Sequence, residues 1–310
     1  MNASAVVLSE PEQLSIRTIE LSSPTDADVV VAIEWSGIST GTERLLWSGQ
    51  MPHFPGMGYP LVPGYESVGR VIEAGPASGV AEGSQVFVPG ARCFGEVRGL
   101  FGGAASRVVV PGARVLGLAN GLGEQGVLLA LAATAQHAVM AGDAPPDLIV
   151  GHGVLGRLIA RLAVIAGGAP VVWERNPARR GGADGYEVRD PAADSATYAT
   201  ICDASGDAGL LDALVQRLAP GGEIVLAGFY SERLSFAFAP AFMREARLRI
   251  AAQWAAPDLA AVQSLAAAGR LSLDGLITHR SHAMDAQTAY RTAFNDPACL
   301  KMVLDWRNCA

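Results

Sequence analysis

The residues best placed to do chemistry form one stretch, Asp147-Leu-Ile-Val-Gly151-His-Gly153-Val-Leu-Gly156-Arg-Leu. Gly151, Gly153 and Gly156 match G-x-G-x-x-G, the loop that lets a backbone approach a pyrophosphate. The first glycine makes the tight turn and the second leaves room for the phosphates. The third lets the following helix pack closely on the strand. Val154 and Leu155 then open a helix whose unpaired N–H groups and partial positive charge favour an anion. Glu174 ends the next apolar run, about twenty residues on, where a carboxylate accepts from a ribose 2′-OH. That carboxylate favours NAD, because it repels a 2′-phosphate. Arg175, Arg179 and Arg180 argue the other way, since arginines there can pair with that phosphate.

These residues require particular elements around them. Apolar runs at 147–151, 171–174, 199–203 and 223–229 alternate with helical patterns, including 208–218. That alternation predicts a doubly wound parallel sheet of Rossmann type, spanning 122–275. Ser205 and Gly228 lie at the ends of its later strands and join the cofactor candidates. A helix at 124–140 crosses between domains, and another at 257–268 ends at Gly269. Short strands at 5–8, 28–33, 63–72, 84–88 and 105–110, with Gly and Pro between them, predict a β-rich domain of partial-barrel character over 1–121. The tail, 276–310, is expected to return to that first domain.

Inside the β-rich part, residues 41–60 read as a long loop carrying Trp47, His53, Phe54 and Tyr59 among Met, Pro and Gly. Such a loop in a compact domain is usually functional. Its aromatics are candidates for lining an apolar pocket for a flat substrate, the alternative being a loop packed on itself.

The chain has 310 residues, half of them hydrophobic, and a net charge of −7, with Lys301 as its single lysine. Nothing in this balance points to nucleic acid. No signal peptide and no run of the ~18 apolar residues a membrane span needs are visible, so a cytoplasmic location is expected. Four scattered cysteines give neither zinc-ribbon spacing nor a disulfide framework.

Several segments together resemble the medium-chain dehydrogenase/reductase family over essentially the whole length: Gly37-Ile-Ser, Pro63-Gly-Tyr-Glu-Ser-Val-Gly, Gly102-Gly-Ala-Ala-Ser-Arg-Val-Val-Val-Pro111, the glycine loop, Asp203-Ala-Ser-Gly206, Pro220-Gly-Gly222 and Leu276-Ile-Thr-His-Arg280. The resemblance implies a GroES-like catalytic domain beside the Rossmann domain. More narrowly, the block from Ser36 to Gly49, followed by Pro55-Gly-Met-Gly-Tyr-Pro-Leu-Val-Pro-Gly-Tyr-Glu-Ser67, resembles members that oxidise a hydroxyethyl side chain of a tetrapyrrole with NAD. His53 would then be a candidate ligand for the macrocycle's magnesium, and Arg44 for its propionate. A homodimer is left open.

The departures from the family carry equal weight. Zinc-dependent members have cysteine where this chain has Ser39, histidine where it has Tyr65, and a further cysteine near Ala130. Glu66 alone remains of that constellation, and the four-cysteine structural-zinc loop is missing. Serine and alanine are not ordinary zinc ligands, so no metal is expected. Proton removal then falls to side chains, with Tyr65 and Glu66 first and Thr40 and Glu43 next. Lys301 matches a basic position that the family uses to reach the cofactor. Two other readings remain: a zinc-independent NADPH reductase of the quinone-reductase kind, and a dinucleotide-binding protein without chemistry.

Overall fold

A computed structural model describes residues 1–118, 122–251 and 253–309. In chain order the elements begin β1 (Asn2–Glu10), β2 (Gln13–Glu20), β3 (Asp28–Ile38), α1 (Thr42–Ser48), β4 (Leu61–Pro63), β5 (Ser67–Ala74) and β6 (Gln85–Val88). They continue with β7 (Arg98–Leu100), β8 (Arg107–Pro111), β9 (Leu116–Gly117), α2 (Leu129–Met140), β10 (Leu148–Val150), α3 (Val154–Ile165), β11 (Val171–Trp173) and β12 (Glu187–Arg189). The last are β13 (Tyr198–Asp203), α4 (Leu211–Arg217), β14 (Leu218–Leu226), α5 (Phe238–Met243), β15 (Arg247–Ile250), α6 (Ala256–Ala267), β16 (His279–His282), α7 (Ala286–Asn295) and β17 (Met302–Asp305).

The chain divides into two units, Met1–Ala130 with Leu276–Ala310, and Leu131–Gly275. The boundary expected at residue 121, and the chain end at 310, lie outside the described residues. The division itself falls nine residues later, inside the run that becomes α2.

The first unit holds two sheets. One has the order β2-β1-β4-β7, and the other β16-β17-β3-β5-β6-β9, with β8 also paired to β3. Consecutive apolar runs of β1 (residues 5–8), β3 (residues 29–31) and β8 (residues 108–110) are buried in one core, together with Ala286, Ala289, Tyr290, Ala293 and Phe294 of α7. The returning tail supplies β17, which pairs antiparallel with β3 so that Met302 faces Ile38. This return brings residue 301 next to residue 38.

The second unit is a six-stranded sheet, β12-β11-β10-β13-β14-β15, in which every adjacent pair is parallel. Its central strand β10 is fully apolar, as expected of a strand covered on both faces. Leu211, Leu214 and Val215 of α4 join the core formed on this sheet. Register aligns Val150 with Trp173 and Asp203, and Trp173 with Arg189. The residues that follow these strands therefore lie in one row at the carboxyl end of the sheet, where open α/β sheets bind ligands.

One local expectation fails. Residues 41–60 are not a loop throughout, because Thr42–Ser48 form α1, closed by Gly49 at φ 72°. Leu46 supplies the apolar anchor and is buried.

Candidate active site

In the second unit each glycine of the loop does separate work. Gly151 has φ 98°, which a side chain rarely adopts. A Cβ on Gly156 would sit 1.8 Å from the Gly151 carbonyl oxygen, so only glycine lets α3 start this close to the strand. Around Gly153 a Cβ would meet nothing within 4 Å, which leaves open space beside the helix start. Gly153 caps α3 without any side-chain hydrogen bond. The helix N-terminus is therefore left for a ligand, and the cradle fits the pyrophosphate of a dinucleotide. Val154 is buried beneath it and Leu155 half-buried.

Glu174 stands next to this loop. Its carboxylate accepts from the His152 N–H at 3.2 Å and from the Asn176 N–H at 2.7 Å. Ser205 is exposed in the turn after β13, where its N–H donates to Asp203 and its Oγ accepts from the Asp207 N–H. Gly228 packs against Gly206, leaving 2.7 Å between a would-be Cβ and the Gly206 nitrogen. Arg175 is largely exposed and 3.6 Å from Asp207.

Sequence reasoning missed what holds this edge together. Arg157 of α3 is buried, and its guanidinium donates to four carbonyl oxygens, those of His152, Arg179, Gly181 and Gly182. His152, fully buried, donates from Nδ1 to the Arg179 carbonyl at 2.6 Å and accepts at Nε2 from the Tyr186 hydroxyl at 2.9 Å. Burial pushes the His152 imidazole down to about 4, so it stays neutral. The only hint in the sequence is an arginine on the apolar face of the helix. His137, on α2, is bonded to Asp258 at 3.0 Å in the same unit.

In the first unit the end of β3 and the turn into α1 meet the turn between β4 and β5. Ser39 Oγ and the Tyr65 hydroxyl are 2.8 Å apart. The Tyr65 phenol also bonds the Thr42 side chain, and burial with the nearby Glu66 carboxylate pushes its pKa well above the usual tyrosine range. The Tyr65 ring packs edge-on against Phe101 at 5.6 Å. Thr40 is half-buried in the same turn.

Behind this pair lie two buried carboxylates. Glu43 accepts from the Ser39 N–H at 3.0 Å and from the Tyr290 hydroxyl at 2.6 Å. With zero exposure it fixes the Ser39 backbone, a positioning role and not the direct one expected from its place in the motif. Glu66, also at zero exposure, accepts from Lys301 Nζ at 2.7 Å, and Nζ donates again to the Ile38 carbonyl. Lys301 was expected at the cofactor. Its ammonium is instead committed to Glu66 and Ile38 in the core of the first unit, at 1% exposure. Strand pairing explains this, because β17 lies against β3.

The three aromatics expected against a flat substrate also have other partners. Trp47 packs on Phe294 at 5.6 Å, the Tyr59 hydroxyl donates to the Leu46 carbonyl, and Phe54 packs on the same core. Burying apolar area on α7 outweighs leaving it in an open loop. Arg44 and His53 remain exposed.

The zinc site that the fold implies does not fit these residues. Ser39 and Tyr65 offer neutral hydroxyls bonded to each other, and Ala130 offers no donor. Among the described residues no group of three His, Cys, Asp or Glu side chains is placed to hold a metal ion.

Burial raises the Glu43 carboxyl from 4.5 to about 7, against the opposing hydrogen bonds from Tyr290 and Ser39. Between these values the folded chain keeps a proton that the unfolded chain has released. Stability from this group therefore falls as pH rises from 4.5 to about 7 and stays lost above it. Glu43→Gln keeps both contacts without a charge: its amide oxygen accepts from the Ser39 N–H, and its amide NH2 donates to the Tyr290 hydroxyl oxygen, reversing that bond. It is expected to raise the melting temperature at pH 8, by at most about 3 kcal/mol of stability, and to change little at pH 5. Thermal melts at the two pH values check this; a difference independent of pH sinks it.

A dinucleotide cradle on a parallel sheet, with hydroxyls and buried carboxylates on a β-rich unit, defines an oxidoreductase of the alcohol dehydrogenase kind. Comparison with known proteins agrees. The alcohol dehydrogenase GroES-like domain matches residues 25–120. A 2-desacetyl-2-hydroxyethyl bacteriochlorophyllide A dehydrogenase from Rhodobacter capsulatus is 59% identical, covering 99% of both chains. Its namesake from Cereibacter sphaeroides is 57% identical, covering 100% of both. A short chain alcohol dehydrogenase from E. coli, complexed with NADH, shares the fold with a TM-score of 0.83 at 23% identity, covering 98% of this chain and 99% of that one. The chain belongs to the medium-chain dehydrogenase/reductase family and is a dehydrogenase. Among the described residues no helix is long and apolar enough to cross a membrane.

Proposed function

We propose that this chain oxidises the 3-(1-hydroxyethyl) group of a bacteriochlorophyllide to 3-acetyl, using NAD and no zinc, as a step of bacteriochlorophyll synthesis. The full-length identity of 57–59% with two relatives bearing that activity in their names carries the reading. NAD supplies the hydride acceptor. The glycine loop and the start of α3 bind its pyrophosphate, and Glu174 accepts from its adenosine ribose.

The proton is handled in the first unit. As the C–H hydride leaves the carbinol carbon, its O–H proton passes to the Tyr65 oxygen. Tyr65 passes its own proton to the Thr42 hydroxyl while buried Ser39 holds the phenol in place, and half-buried Thr42 passes it to water. Because its pKa is raised, Tyr65 works as a neutral relay and not as a phenolate base. Glu43 holds the Ser39 backbone, and Glu66 with Lys301 fixes the floor beneath Tyr65. Exposed Arg44 is the candidate partner for a pigment carboxylate.

The test is direct. Purified protein with NAD and the 3-(1-hydroxyethyl) bacteriochlorophyllide is expected to yield one NADH per 3-acetyl product, read by absorbance and mass. Turnover with NADPH on quinones alone would support the reductase reading. NAD binding without oxidation of this pigment or any alcohol would support a non-catalytic protein.

A further inference from the structure

Three arginines follow Glu174, and arginines there are the usual means of holding a 2′-phosphate. In this chain one of them is tied down by a carboxylate that its own sheet puts in place. Arg180 donates from Nε to the Glu174 carbonyl at 2.8 Å and from Nη2 to the Arg175 carbonyl at 2.9 Å. The same Nη2 reaches Asp190 Oδ2 at 2.7 Å. Asp190 comes immediately after β12, whose Arg189 pairs with Trp173 and accepts at its carbonyl from the Glu174 N–H. Asp190 and Glu174 thus end neighbouring parallel strands on the ligand side of the sheet.

Asp190 does not depend on Arg180 for its position. Its other oxygen caps the turn Pro191–Ala193 by accepting from the Ala192 N–H at 3.0 Å. That bond and Arg180 hold its carboxyl below the usual range, so it remains ionised at neutral pH. The Arg175–Asp207 pair is wider, at 3.6 Å, and more exposed, so it restrains its arginine less.

We infer that Asp190 is a cofactor-selectivity residue: it withholds Arg180 from a 2′-phosphate and so reinforces the choice of NAD over NADP that Glu174 begins. The inference rests on the NAD reading above. A guanidinium bonded to a fixed carboxylate has its charge balanced and its donor fork aimed into the loop. An incoming phosphate would have to break that pair before using it.

Asp190→Asn tests this, because asparagine keeps the cap on Ala192 and removes only the charge. Dissociation constants for NAD and NADP are measured by calorimetry for wild type, D190N, and D190N combined with Arg180→Gln. In D190N the NADP constant is expected to fall about tenfold, the size of one charge-assisted hydrogen bond, with the NAD constant within about twofold of wild type. The added Arg180→Gln is expected to erase the gain. An unchanged NADP constant in D190N with normal NAD binding overturns the role of Asp190 and leaves the NAD reading standing. Equal tightening of both cofactors also overturns it, since that would be a general charge effect. Wild type that binds NADP as tightly as NAD overturns the NAD reading itself, and the inference with it.

Discussion

Tyr65→Phe is expected to cut turnover of the pigment by about 10²–10⁴, the range for losing an acid/base group, with NAD affinity nearly unchanged. Phenylalanine keeps the edge-on contact with Phe101 and removes only the hydroxyl bonded to Ser39 and Thr42. The glycine loop belongs to the other unit, so cofactor binding reports independently on folding. Ser39→Ala, which breaks the same 2.8 Å contact from its other end, is expected to lose part of this factor. The pH profile adds a second readout. With the phenol raised by burial and by Glu66, no tyrosine ionisation should appear in kcat between pH 6 and the ordinary tyrosine value of 10. Activity is expected to survive a strong chelator, and purified protein to hold no stoichiometric zinc. A loss of less than about fivefold in Tyr65→Phe would move the chemistry elsewhere, with Thr40 the next candidate. One equivalent of zinc, lost together with activity, would end the metal-free mechanism.

What the sequence made legible and what it hid follow one physical division. The glycine loop was readable because its demands are local. A positive φ at Gly151 and a helix start touching its carbonyl at Gly156 can be met only by glycine at fixed spacing. Strands β10, β11 and β13 announced themselves as short apolar runs for the same reason. Partnerships made by the path of the chain were not readable. Arg157 and Gly182, or Arg180 and Asp190, meet because a loop folds back between two parallel strands, and no periodicity encodes that return. Residues 41–60 show the opposite difficulty. Their aromatic content fits pocket lining or a loop packed on itself, and Trp47 and Phe54 lie partly buried against the core, since aromatic area is equally suited to both uses. Ser39 and Tyr65 were located by resemblance to a family that puts metal ligands there. Their contact with each other became visible only in three dimensions.

Lys301→Met is expected to cost about 3–5 kcal/mol of stability, the usual penalty for leaving one member of a buried ion pair alone. The solitary lysine of an arginine-rich chain was a signal that could have been followed, because a buried ammonium requires an anion. Glu66, 235 residues earlier in the chain, supplies it at 2.7 Å. The pair has little slack. A Cβ at Gly37 would lie 2.3 Å from Glu66 Oε2, and Glu66 Oε1 is buried without a hydrogen-bond partner. Once Lys301 is gone, the carboxyl has lost the charge that lowers its pKa, and burial raises it further. A group whose folded pKa lies above its unfolded value loses stability as pH rises between the two. The deficit of Lys301→Met should therefore be larger at pH 8 than at pH 5, where the orphaned carboxyl takes up a proton. Adding Glu66→Gln to Lys301→Met removes the uncompensated charge and should restore much of the loss at pH 8 while doing little at pH 5. Denaturant unfolding of wild type, single and double variants at both pH values measures each term. A single-variant loss below about 1 kcal/mol at pH 8, or no recovery in the double variant, would mean that the pair is not what holds the β3–β17 junction beneath Tyr65.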